Sequence, residues 1–74
     1  MNSPIITNNA IRKMANWQIY EGEAINVFNN GTVEKYGGGY TSVSKFNGYE
    51  IGVYWVQESD GTYKILSVWK RDRR

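Results

Sequence analysis

The chain has 74 residues, 41% hydrophobic and 15% aromatic, with no cysteine or histidine and a formal charge of +2 at neutral pH. A chain this short supports one hydrophobic core and no second domain, and buries only about 60% of the surface its unfolded form exposes. Without Cys or His it has no disulfides and none of zinc's preferred nitrogen and sulfur ligands, and no run approaches the roughly 20 apolar residues of a membrane span.

The residues therefore call for no metal and no cofactor. The first nine residues lack the basic start and apolar run of a signal peptide, so the expected location is cytoplasmic. The charge is unevenly placed. Lys70, Arg71, Asp72, Arg73 and Arg74 contribute +3, which leaves residues 1–69 at −1, five basic side chains against six acidic ones. Residues 70–74 thus read as a basic tail, either a phosphate contact or a solvated terminus.

Pro4 followed by Thr7, Asn8 and Asn9 marks a helix start, because Thr and Asn side chains accept hydrogen bonds from the unpaired first-turn amides. The spacing of Ala10, Ile11 and Met14 predicts a helix over about Asn8–Asn16, with Arg12, Lys13 and Asn16 toward solvent. A second helix is predicted over about Glu21–Asn29. Ala24, Ile25, Val27 and Phe28 form its apolar stripe, and Glu21 and Glu23 sit at the positive end of its dipole. Asn30-Gly31 reads as a left-handed C-terminal cap, and Trp17 and Ile19, in the corner between the helices, are expected in the core.

From Thr32 onward, β-branched and aromatic residues interrupted by glycine predict four strands. The first covers about Thr32–Tyr36 and is followed by a Gly37-Gly38-Gly39 loop. That run lacks the Lys-Ser/Thr ending of a P-loop and reads as a flexible hairpin. The second, Tyr40–Phe46, meets Asn47-Gly48, a dipeptide suited to a type I′ turn. The third, about Tyr49–Gln57, alternates Ile51, Val53 and Trp55 with Glu50, Gly52 and Tyr54, and Ser59-Asp60-Gly61 turns the chain again. The fourth, about Thr62–Lys70, places Tyr63, Ile65, Ser67 and Trp69 on one face and Lys64, Leu66, Val68 and Lys70 on the other. The expected architecture is a single α+β domain over residues 1–74, with two N-terminal helices packed on one face of a four-stranded antiparallel β-meander.

The stretch Thr7-Asn8-Asn9-Ala10-Ile11-Arg12-Lys13-Met14, the pairs Asn30-Gly31 and Asn47-Gly48, and the closing Ile65-Leu66-Ser67-Val68-Trp69-Lys70 resemble the RelE/BrnT-like small toxin superfamily. The likeness is to its phage- and plasmid-associated branch of short domains. Members of that branch read as a Thr/Ser-x-His-Ala-x-x-Arg-Met start, a second helix ending in Asn-Gly, an Asn-Gly hairpin and a closing Ile-x-Thr-Val-Tyr-Lys strand.

The resemblance implies a toxin-type domain, a ribosome- or RNA-directed endoribonuclease with an antitoxin partner. It implies Lys45, Lys64 and Ser67 as catalytic candidates, and Lys13, Lys70, Arg71, Arg73 and Arg74 as RNA-binding ones. Three departures fall in the motifs: Asn9 stands at the family His position, Lys13 at the Arg and Ser67 at the Thr. Asn exchanges no proton near neutral pH, which removes general acid–base chemistry from that position.

A second reading stays open beside the first. On the same scaffold, phage or mobile-element encoded, the chain is a non-catalytic binding module whose sheet face engages a protein or a nucleic acid. Tyr36, Tyr40, Tyr49, Tyr54, Trp55 and Trp69 exceed what so small a core needs, and Tyr and Trp are common interface anchors. Trp17, Phe28, Phe46 and Trp55 are expected to serve the core in either case. A homodimer paired through sheets or edge strands is a third arrangement that the pattern allows.

Overall fold

The computed structural model describes residues 4–72. The chain runs β1 (Ile5–Ile6), α1 (Asn8–Trp17), α2 (Glu21–Asn30), β2 (Thr32–Tyr36), β3 (Gly39–Phe46), β4 (Tyr49–Gln57) and β5 (Tyr63–Asp72). The strands form one mixed sheet in the order β1-β5-β4-β3-β2, with α1 against β5 and α2 against β3 and β4.

The two helices and the four-strand meander stand where the residue pattern put them. The expectation of only four, all antiparallel, strands is corrected by β1, whose Ile5 and Ile6 pair in parallel with Lys64 and Ile65. Two residues show no periodicity, so only the pairing reveals this strand.

Two side chains join the start of α1 to β5. Thr7 caps the helix by accepting from the Ala10 amide (3.3 Å), and its hydroxyl donates to the Ile65 carbonyl (2.9 Å). The Asn9 amide donates to the Leu66 carbonyl (2.9 Å). These carbonyls lie at a β-bulge: Ile65 faces Trp55 and Ser67 faces Tyr54, so Leu66 has no partner on β4. The bulge overturns the expected alternation along β5. Tyr63, Ile65, Val68 and Lys70 fall on the helix side, while Lys64, Ser67, Trp69 and Arg71 fall on the other.

Three local expectations change for physical reasons. Gly31 is extended (φ −72°, ψ 166°) rather than left-handed. It is glycine because a Cβ there would come within 2.7 Å of the Val27 carbonyl oxygen and 2.9 Å of the Val43 nitrogen. At Asn47-Gly48 only the glycine has positive φ (+90°), so the turn is not type I′. It is the first helix that ends in a left-handed cap, at Gln18 (φ 56°), and the Ile19 amide reaches the Met14 carbonyl at 2.8 Å across it. This reversal buries Ile19. Trp17, at the last turn of α1, remains 44% exposed and is not a core residue.

The core between the layers comprises Ala10, Met14, Ile19, Ala24, Val27, Phe28, Ile51, Val53, Ile65 and Val68, with Phe46, Tyr49, Trp55 and Tyr63 packed around it. Trp55 sits edge-on to Phe28 (5.1 Å) and Tyr63 (5.6 Å) and stacks on Tyr40 (4.7 Å). Its indole N–H donates to the fully buried Ser42 hydroxyl at 2.8 Å, so the ring's one polar atom is satisfied inside.

Candidate binding face

Among the described residues, no helix covers the other face of the sheet. The strand register arranges that face in four rows: Lys45, Glu50 and Arg71; Thr32, Val43, Gly52 and Trp69; Glu34, Thr41, Tyr54 and Ser67; and Tyr36, Gly39, Val56 and Lys64. A Cβ on Gly52 would overlap the benzene half of the Trp69 indole, so the ring lies across β4 where the side chain is missing. Tyr36 and Tyr54 meet edge to face at 5.9 Å. Beside Trp69 a cleft of about 640 Å³ runs across the sheet, bounded by Thr32, Glu34, Val43, Lys45, Glu50 and Arg71.

The charges of this face are mixed. Arg71 reaches Glu50 at 3.9 Å, with the Glu50 side chain only 15% exposed, and Lys64 pairs with Glu58 at 3.2 Å. Of the chain's nine basic residues, Arg73 and Arg74 lie outside the described residues, leaving seven basic against seven acidic among residues 4–72. The expected tail is largely strand, since β5 extends through Asp72. Lys70 lies on the helix side, with its ammonium 4.6 Å from the centre of the Tyr49 ring.

The positions expected to act together are spread over the molecule. Lys45 pairs in register with Glu50, and Lys64 with Val56, six residues further along β4. At about 3.3 Å per strand residue the two lysines stand about 20 Å apart. Ser67 sits between them opposite Tyr54. Lys13 is on the exposed side of α1, and Asn9 points its amide at the bulge rather than into a cleft. A ring N–H of a neutral histidine could make the same bond to the Leu66 carbonyl, so this contact asks for a donor, not for a proton shuttle.

Among the described residues, no group of three or more His, Cys, Asp or Glu side chains could hold a metal ion, and no helix is long and apolar enough to cross a membrane. Among the described residues, Asp60 in the β4–β5 turn has its acidity displaced. Its carboxylate accepts from the Thr62 amide (2.9 Å), and that bond holds its pKa below the ordinary 3.8.

Sequence reasoning missed Glu34 and Glu50 as parts of a site and grouped Trp69 with Tyr63 and Ile65, from which the bulge separates it. The available signal was Gly52, a glycine inside an otherwise bulky strand, which marks a close approach by another group. Compared with known proteins, the chain matches no family model, no curated protein and no solved structure.

Proposed function

We propose that the chain is a non-catalytic binding module that engages a protein partner through the uncovered face of its sheet. The observation that carries this is the composition of that face: Tyr36, Tyr54 and Trp69 beside Val43 and Val56, with basic and acidic groups in balance around them. Tyr, Trp and Arg are the residue types that anchor protein interfaces, and a face of mixed charge draws phosphate weakly.

Affinity capture with the full chain and with Tyr54→Asp tests it. A protein held by the wild type and by Lys13→Ala, but lost with Tyr54→Asp, supports the module. Binding of RNA whose affinity drops steeply between 50 and 200 mM salt (about 10³-fold or more for six phosphate contacts), with no protein retained, overturns it.

One observation favours the endoribonuclease reading as a second. Lys45 and Arg71 flank the Trp69 cleft, where cations could stabilise a pentavalent phosphate as the RNA's own 2′-hydroxyl attacks. In that reading the protein partner is an antitoxin. Cleavage of RNA by the purified chain, abolished by Lys45→Ala, would establish it, and intact RNA would exclude it.

A further inference from the structure

β2 is open along its outer edge and exposed on both faces. It is the sheet's edge strand, paired only with β3, and all five of its residues are exposed, including Val33 at 51% and Tyr36 at 67%. The helices pack mainly against β3, β4 and β5, and every residue of β2 stays exposed. Its outer row of amides and carbonyls is a template for another strand. The charges along it alternate by face: Glu34 lies on the open face and lines the Trp69 cleft, while Lys35 lies on the helix side, and neither has an ion pair among the described residues.

We infer that an extended segment of another protein adds antiparallel to β2 as a sixth strand, with a basic residue opposite Glu34, an acidic one opposite Lys35 and apolar ones opposite Val33 and Tyr36. Main-chain hydrogen bonds hold such a segment, and the side-chain pairs select it. The basic side chain lies on the open face, at the mouth of the cleft that Thr32 and Glu34 border. The inference rests on the protein-binding reading above and names the kind of partner.

A second folded copy fits poorly. Two copies joined along β2 by a two-fold axis keep their helices on one side, so only residues of the same face meet. Registers centred on Glu34 or Lys35 then oppose like charges, and the register centred on Val33 sets Lys35 against Gly31.

Two synthetic ten-residue peptides test the inference, one with the core Val-Glu-Lys-Val and one with the charges exchanged, Val-Lys-Glu-Val, each flanked by threonines. They are titrated by calorimetry into the full chain and into the double variant Glu34→Lys, Lys35→Glu, both positions being exposed. The wild type should prefer the first peptide by about five- to tenfold, and the double variant should reverse the preference. Equal affinity for both peptides, or no binding of either, overturns the inference. So does a dimer in sedimentation that Glu34→Lys disperses, which would hand the edge to a second copy. Partner capture that is lost with Tyr54→Asp but unchanged by the charge exchange would leave the open-face reading standing and remove this one.

Discussion

Toward the helices the sheet turns Ile51, Val53, Ile65 and Val68, all buried, and the buried polar residue among them, Ser42, takes the Trp55 N–H. Away from the helices the same strands turn Tyr54, Ser67, Trp69 and a row of Lys45, Glu50 and Arg71. Both faces use large rings, but for different ends. Trp55 is locked among Phe28, Tyr40 and Tyr63 with its nitrogen satisfied, whereas Trp69 rests on a glycine with a cleft open beside it. A ring whose contacts are completed within the chain stabilises the fold. A ring left half covered on a helix-free face is available to something else.

Substitutions should separate the two faces in proportion to how much each packs. Ile65→Ala, in the centre of the dry face, should cost the most, about 2–5 kcal/mol in denaturant unfolding. A cost below about 1 kcal/mol would mean that the two layers are not tightly joined. Gly52→Val should come next at about 3 kcal/mol, since the new side chain must expel the Trp69 ring. It should also alter tryptophan fluorescence, and an unchanged spectrum would show that the ring does not lie across β4. Ser42→Ala removes the acceptor of the Trp55 N–H and should cost about 1–3 kcal/mol. On the open face, Lys64→Ala breaks a half-exposed pair with Glu58 and should change stability by no more than about 1 kcal/mol.

The smallest effect is one of pH. Because the Asp60 carboxylate has a lowered pKa in the folded chain, its contribution is complete above 3.8, the ordinary value, and is lost as pH falls below it through the folded value. In an acid titration of stability, wild type should exceed Asp60→Asn by a constant amount above 3.8 and the gap should close as pH falls below it; a gap that already closes near neutrality would assign the effect to another group.

The helices and the meander were legible because their signals are local. Thr7 caps α1 by its own hydroxyl, Glu23 reaches back to the Tyr20 amide at 3.0 Å, and each hairpin is closed by a short glycine-containing turn. The site was less legible because its positions depend on register. A single unpaired residue, Leu66, moves Val68 to the helix side and Trp69 to the open side, and nothing in the alternation of Ile65 to Lys70 announces it. The bulge is met from the other end of the chain, where Thr7 and Asn9 bond its carbonyls. Trp17 failed as a core residue for a similar reason. Its helical spacing from Ala10 and Met14 is right, but the last turn of α1 brings it beside Lys70, Arg71 and Asp72 rather than under the second helix.

By itself, the sequence determined two short helices, a run of antiparallel hairpins and a surplus of rings, because helix caps, turns and apolar periodicity act over a few residues. Only the tertiary structure decided that Ile5 and Ile6 join the sheet beside β5, that Lys45 and Lys64 stand at opposite ends of one face, and that Trp69 and Arg71 share that face with Glu50. Each of these follows from contacts between residues far apart in the chain, and a pairing across the sheet leaves no periodic trace in either of the strands it joins.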